Sequence, residues 1–314
     1  MNLSEEEIRN LMKIKISQVQ MMSDRGYPIP TSELKLYQQS SDLEKINLFE
    51  TEIMFMDGEP ILEDYEPGTA GRFLIESSQQ PNGLPPIPIR ETIRKYKTLY
   101  ANEFMEMLRA RLGTSTSPNH PPQQDFRVIK GDMRNALSYL YFDNNYENPI
   151  FVYYTSIYPQ GKNNIIKETL YPLSNRVLQL RNDIFPIVDG GVTRNIKFDV
   201  RDVVIISPYN INSNISTFLD ENRLSHTSFT DAELSYNITH NSHSPKYTKL
   251  SKEQISKLSQ YYGTPLEKFP MINVSDPIRK YYGMKEGDVL MIVRQNSVPT
   301  PVFKDVFYRA FIEQ

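Results

Sequence analysis

Few residues in this chain could do chemistry, and their spacing argues against most of it. A metal-dependent nuclease needs an acidic residue and a Glu/Asp-x-Lys tripeptide on adjacent strands to hold Mg²⁺. The tripeptide found is Glu33-Leu34-Lys35, in a stretch that reads as helix. His226, His240 and His243 are possible nitrogen donors. No further ligands stand at a matching spacing, so no metal is expected. The absence of cysteine removes thiolate zinc sites and disulfides together. The most tightly specified stretch, SDPIRKYYGMKEGDVLMIVRQ (275–295), has no histidine, no glycine-rich phosphate loop and no paired carboxylates. No catalytic residue and no cofactor is expected.

The elements that would carry any site are legible around that stretch. Asp276 is a suitable N-cap, because its carboxylate can accept from free amides of the first turn. Pro277 then sits where a missing N–H costs nothing. Ile278, Tyr281 and Tyr282 share one helical face, and Gly283 can take the left-handed conformation that ends a helix. Lys285-Glu286-Gly287-Asp288 reads as a turn. Val289–Val293 is an apolar, partly β-branched run that suits a buried strand, and a second strand follows over about 305–312.

With 314 residues, one or two domains are expected. Net charge is −3 at pH 7. It is unevenly spread: Thr239–Gln314 holds 11 Lys/Arg and 7 Asp/Glu, a balance of +4, which leaves −7 for the rest. The acidic start MNLSEEEIRN has neither a basic n-region nor an apolar h-region, so no secretory signal is expected. No apolar window approaches the roughly 18 residues of a membrane span, so no membrane association is expected.

Ser4-x-x-Glu7 opens a first helix that Arg25-Gly26 closes, and a second helix is expected from about Ser32. Between proline clusters in 57–130, the spacing of Ile93, Tyr96, Tyr100, Phe104, Met107 and Leu108 predicts an amphipathic helix over 91–112. Its proline-rich flanks suggest an insertion that reaches outward to a partner or a peripheral surface. Strands are expected at 137–142, 150–155 and 203–208, with helices near 163–181 and after Asn212 and a last extended or strand segment over TSFTDAELSYNIT (227–239). The order is ββαβαβ, an α/β unit over 1–236 with insertions near 57–130 and 156–200. Residues 237–314 form a small α+β unit. There Ser251-x-x-Gln254 caps a helix whose buried face is read as Ile255, Leu258, Tyr261 and Tyr262.

These segments resemble the fifth subunit of the DNA-directed RNA polymerases, which the eukaryotic enzymes share and which has an archaeal counterpart. The resemblance is carried by LSKEQISKLSQYYGTPLEKFPMINVSDPIRKYYGMKEGDVLMIVR and FYRAFI, with Asp276-Pro277, Tyr282-Gly283, Gly287, Arg294 and Tyr308-Arg309 in place. MKIKISQVQMMSDRGYPIPTSEL and VVIISPYNINSNISTFLDE are similar to the family's first helix and to the last part of its jaw domain. Departures are the two insertions and YNINSN, which stands where the family has Thr-Pro-Ser-Ala. Together with a composition suggesting AT-rich coding DNA, they resemble a homologue from a large DNA virus.

The resemblance implies a non-catalytic polymerase subunit. Its C-terminal assembly domain would anchor to the largest subunit. Its N-terminal jaw domain, with a core comparable to restriction endonucleases, would stand beside downstream DNA with weak, non-specific contact. Other polymerase subunits are implied partners, and no homo-oligomer is expected. The setting would be intracellular: nucleus or cytoplasm, or, for a virus, virion or virus factory. The residues implied to bind the partner are Asp276, Pro277, Tyr281, Tyr282, Gly283, Gly287, Arg294, Tyr308 and Arg309. Each also has a local reading: cap, turn glycine, or core for the tyrosines. Arg294 and Arg309 are the stronger interface candidates, since charge on a hairpin face needs a partner or solvent. The alternatives are a divergent nuclease-fold enzyme and a free DNA-binding transcription factor, the latter lacking any helix-turn-helix, zinc finger or strongly basic domain.

Overall fold

The computed structural model describes residues 4–30, 33–34, 46, 89–113, 134–143, 145–155, 170–189, 192–240, 244–295 and 304–312. Helix α1 (Glu5–Asp24) starts on a reciprocal capping box. Ser4 Oγ accepts from the Glu7 amide at 3.3 Å, and Glu7 Oε2 accepts from the Ser4 amide at 2.8 Å. Past its first two turns α1 is buried on nearly every side, with Val19, Met21 and Met22 fully enclosed. A helix enclosed all round lies inside the molecule, and α1 packs against both α2 (Ile89–Gly113) and the C-terminal unit.

Three strands of the central sheet follow from sequence runs that are apolar without alternation, whereas the edge strand over Ser225–Thr230 is the polar run SHTSFT. The sheet has four strands: β1 (Tyr139–Tyr141), β2 (Ile150–Tyr154), β5 (Asp202–Ser207) and β6 (Ser225–Thr230), in the order β1-β2-β5-β6. β1 runs antiparallel to β2, while β2–β5 and β5–β6 are parallel. Successive side chains of a strand point to opposite faces, and both faces are covered. Val152, Tyr154, Val204 and Ile206 pack towards α1 and α2. Phe151, Tyr153, Val203 and Ile205 pack towards α3 (Tyr171–Asn182) and α4 (Ser213–Glu221). The unit is therefore layered helix–sheet–helix. A hairpin, β3 (Phe185–Asp189) and β4 (Val192–Ile196), stands between α3 and β5. Arg134 ties the carboxyl ends of the strands together: Nε donates to the Thr155 carbonyl at 2.9 Å, and the guanidinium grips Asp231 in a bidentate pair at 2.7 and 2.8 Å.

The C-terminal unit is a three-stranded antiparallel sheet, β7 (Lys246–Lys249), β8 (Val289–Gln295) and β9 (Lys304–Ala310), in the order β7-β8-β9. Helix α5 (Lys252–Tyr262) lies on one face through Ile255 and Leu258. Helix α6 (Pro277–Tyr282) lies on the other, where Leu290, Ile292 and Phe311 join the same core as α1 and α2. The expected boundary at 236/237 falls in a turn region between β6 and β7, and the units on either side share that core.

Two expectations need correction. The 91–112 helix does not reach outward: Ile89, Ile93, Tyr100, Phe104 and Leu108 are buried in the main core. An apolar stripe of that length gains more by covering α1 and the sheet than by following its proline flanks, whose residues lie outside the described set. Tyr261 and Tyr262 are not buried; they are 83% and 53% exposed, since the face of α5 that meets the small sheet is carried by Ile255 and Leu258. Of the expected second helix, Glu33 and Leu34 are helical, and most of the remainder lies outside the described residues.

Candidate partner interface

The stretch 275–295 is built as its residue types require. Asp276 Oδ1 accepts from the Ile278 amide at 2.8 Å, Pro277 occupies the first turn, and Gly283 closes α6 at φ +56. Gly287 holds φ +84 in the following turn, where its amide meets the Phe311 carbonyl at 2.9 Å.

Most of this stretch faces inward. Tyr281 and Tyr282 are 2% and 4% exposed. The Tyr281 hydroxyl donates to Asp24 Oδ2 at 2.8 Å and accepts from Asn237 Nδ2 at 2.9 Å. The Tyr282 hydroxyl donates to the Tyr247 carbonyl at 3.3 Å. Burial pushes both phenols well above their ordinary range, with the nearby Asp24 carboxylate adding to the effect. Arg25 donates from Nε to the Tyr281 carbonyl at 2.7 Å and from a terminal nitrogen to the Lys280 carbonyl at 2.9 Å. Burial lowers that guanidinium to about 10. Lys280 pairs with Glu233 at 2.5 Å and Lys285 with Asp202 at 2.7 Å. This side of the C-terminal unit thus carries the N-terminal unit.

The opposite end faces outward. Arg294 is exposed and lies over the Phe307 ring at 5.2 Å. Arg309 is exposed and donates to the Met271 carbonyl at 3.0 Å. Tyr308 is half-buried and meets Tyr262 edge-on, with ring centroids 6.3 Å apart. Tyr262, Lys268, Phe269, Pro270 and Val306–Arg309 border a groove of about 350 Å³. Of the nine residues singled out from sequence, Tyr308 and Arg309 border this groove, and Arg294 stands beside it over Phe307. Asp276, Pro277, Tyr281, Tyr282, Gly283 and Gly287 shape and seat α6 instead. Tyr262, Phe269, Val306 and Phe307 were not singled out as site residues. Their signal was an aromatic density around 261–269 and 306–308 beyond what so small a core can bury.

The C-terminal domain of RNA polymerase Rpb5 is the family that matches, over residues 236–310. The chain is 37% identical over 68 residues to the DNA-directed RNA polymerase subunit Rpo5 of Archaeoglobus fulgidus, 22% of this chain and 86% of that one. The chain belongs to the RNA polymerase Rpb5 family. The Rpo5 of Sulfurisphaera tokodaii is 40% identical over 68 residues, 22% of this chain and 77% of its own. A subunit of the DNA-directed RNA polymerases I, II and III from Dictyostelium discoideum, rpabc1, is 36% identical over 83 residues, 26% of this chain. The alignment spans 42% of that relative's length. The family likeness is therefore concentrated in the C-terminal unit, the part that carries the groove.

Glu33 has a structural occupation. It is fully buried and paired with Lys15 at 2.5 Å, and Tyr141 donates to its other oxygen. A carboxylate so engaged inside the core is not available to a metal at a substrate cleft. The Glu-x-Lys tripeptide therefore gives the nuclease reading no support.

Proposed function

We propose that this Rpb5-family chain is a non-catalytic subunit of a multisubunit DNA-dependent RNA polymerase. Its C-terminal unit anchors to the largest subunit through the outward end of its sheet. Its N-terminal layered unit stands in the lower jaw beside downstream DNA, and the protein works wherever its polymerase does. The observation that carries this reading is the distribution of likeness and exposure. Residues 236–310 match the family, the matched residues span 86% and 77% of the two archaeal relatives, and the outward end of this unit is an aromatic groove bordered by Lys268 and Arg309. The −7 balance outside 239–314 supports weak, non-specific DNA contact, since phosphate neutralisation by Lys and Arg supplies most of such affinity.

Affinity purification of the tagged full-length chain from its own cells or infected cells tests the reading. The expected result is stoichiometric recovery of the largest polymerase subunit with the rest of the complex. Recovery of the chain free of polymerase subunits overturns it.

A further inference from the structure

Within the reading just given, we propose that β9 accepts an extended segment of the largest subunit as an added strand. The phase of the backbone carries the argument. Neighbouring residues of a strand alternate the edge on which their N–H and C=O lie. The Leu250 amide donates to the Val289 carbonyl at 2.9 Å, so Val289 points towards β7. Ala310, its partner on β9, therefore points away from β8. Its amide donates to the Pro270 carbonyl and its carbonyl accepts from the Ile272 amide, both at 2.9 Å. Two residues back along the strand each time, Tyr308 and Val306 present their amides and carbonyls on that same outer edge. Among the described residues, no other strand pairs there.

A fourth position of the sheet is thus filled at Ala310 by a single parallel bridge from Met271 and, among the described residues, open beyond it. The groove runs along that opening, with Tyr262 and Lys268 as its far wall. An open edge flanked by exposed apolar side chains is a template for strand addition. Val306 and Phe307 are 46% and 45% exposed.

The occupant is an extended polypeptide with alternate apolar side chains and at least one carboxylate. Strand pairing with Val306 and Tyr308 supplies backbone hydrogen bonds. Apolar side chains on one face of the added strand meet Tyr262 and Phe269. Among the described residues the groove's border includes Lys268 and Arg309 and no acidic residue, so the complementary charge is negative. The +4 balance of the surrounding unit has the same sense. A second copy of this chain fits poorly, because pairing β9 with β9 would bring two such cationic borders together.

The test uses the full-length chain and the purified largest subunit of its own polymerase. Val306→Pro removes an outward amide, which an edge strand tolerates because that amide is not in the sheet's internal ladder. The expected result is loss of about tenfold or more in affinity with the melting temperature little changed, and near-normal binding for Val306→Thr, which keeps the amide. The free energy of roughly one to two hydrogen bonds sets that scale. Lys268→Glu, an exposed change that leaves the backbone intact, should weaken binding independently. In the wild-type complex the Val306 and Tyr308 amides should gain protection from hydrogen exchange. If the wild-type chain holds the largest subunit while these amides exchange as freely as before, the edge is not the docking site, although the subunit reading stands. If the wild-type chain does not hold that subunit, both readings fall.

Discussion

Arg25 donates from Nε to the carbonyl of Tyr281 at 2.7 Å, joining residues 256 positions apart. The last carbonyls of a helix lack intrahelical partners. Here the partner comes from the end of another helix, as a fork with a second bond to Lys280 at 2.9 Å. Hydrogen bonds to charged groups contribute about 1.5–3 kcal/mol each. Arg25 is partly exposed, so Arg25→Ala should cost about 2–3 kcal/mol of unfolding free energy in total. Arg25→Lys should recover less than half of that, because a single ammonium cannot reproduce the fork. Denaturant titration of the three proteins checks both.

Gly283 and Gly287 both hold positive φ, +56 and +84, and differ in surroundings. A Cβ on Gly283 would lie 3.0 Å from the Arg25 guanidinium carbon, whereas one on Gly287 meets nothing within 4 Å. Gly287→Ala should therefore cost only the backbone strain, about 1–2 kcal/mol. Gly283→Ala should cost more, and the excess should shrink in an Arg25→Ala background. A double-mutant cycle measures that coupling.

Local rules were legible in the sequence because local interactions enforce them. The Ser4 and Ser251 capping boxes, the Asp276 cap, and the Gly263 and Gly283 helix ends depend on neighbours within a few positions. Three strands of the central sheet were legible because burial on both faces leaves an unbroken apolar run, as in Val203–Ile206; the edge strand β6, SHTSFT, carries no such run. What the residues did not disclose is long-range. Nothing in YKTLYANEF says that its stripe covers α1. Nothing in DRG says that Arg25 caps a helix near the other end of the chain. The hairpin β3–β4 was missed because FPIVD and VTRNI are short and mixed, half exposed, with a proline in one strand. At the candidate interface, Arg294 and Arg309 were found from charge on a strand. Val306 and Phe307 were hidden among residues that would equally suit a core.

Lys15 and Glu33 form an ion pair with both side chains fully buried. Lys15 also donates to Gln18 at 2.7 Å and to the Leu137 carbonyl at 3.0 Å, so its ammonium is well satisfied. Removing one member of such a pair strands a buried charge and costs about 3–5 kcal/mol. Lys15→Met alone should destabilise the chain by that amount. Lys15→Met combined with Glu33→Gln should recover much of it. Chemical denaturation of the single and double variants checks the recovery, and an additive loss would show that the two do not act as a pair.

Alkaline pH should unfold the protein through its buried tyrosines. Burial raises Tyr141, Tyr153 and Tyr281 above the ordinary phenol value. Below about pH 10 the phenols are protonated in both folded and unfolded chains, and stability does not depend on them. Above it the unfolded chain releases protons that the native chain retains, so stability falls as pH rises. Each such tyrosine contributes about 1.4 kcal/mol per pH unit until its folded form also ionises. Phenolate absorbance should therefore rise together with loss of circular dichroism. Ionisation of these tyrosines near pH 10 in a protein that keeps its native dichroism would contradict the burial argument.

The two units should differ in how well they survive separation. Residues 237–314 keep a complete antiparallel sheet, α5, and the small core of Leu250, Phe269, Val289 and Ala310. A relative from Archaeoglobus fulgidus is spanned over 86% of its length by 68 matched residues, so a chain of little more than this unit exists as a protein. Separation exposes Tyr281, Tyr282, Ile292 and Phe311 on one face and removes the Arg25 cap. The isolated unit should fold with a lower melting temperature than the full chain. Residues 1–236 lose the cover over the C-terminal end of α1, where Met21 and Met22 are fully enclosed in the intact chain, and should aggregate more readily. Mixing the two fragments should restore the melting temperature, since each piece carries one half of the shared core and one partner of the ion pairs Lys280–Glu233 and Lys285–Asp202, which re-form on association. Circular dichroism and thermal melts of each fragment and of the mixture test this. A disordered 237–314 fragment would mean that the C-terminal unit of this chain needs the N-terminal unit in order to fold.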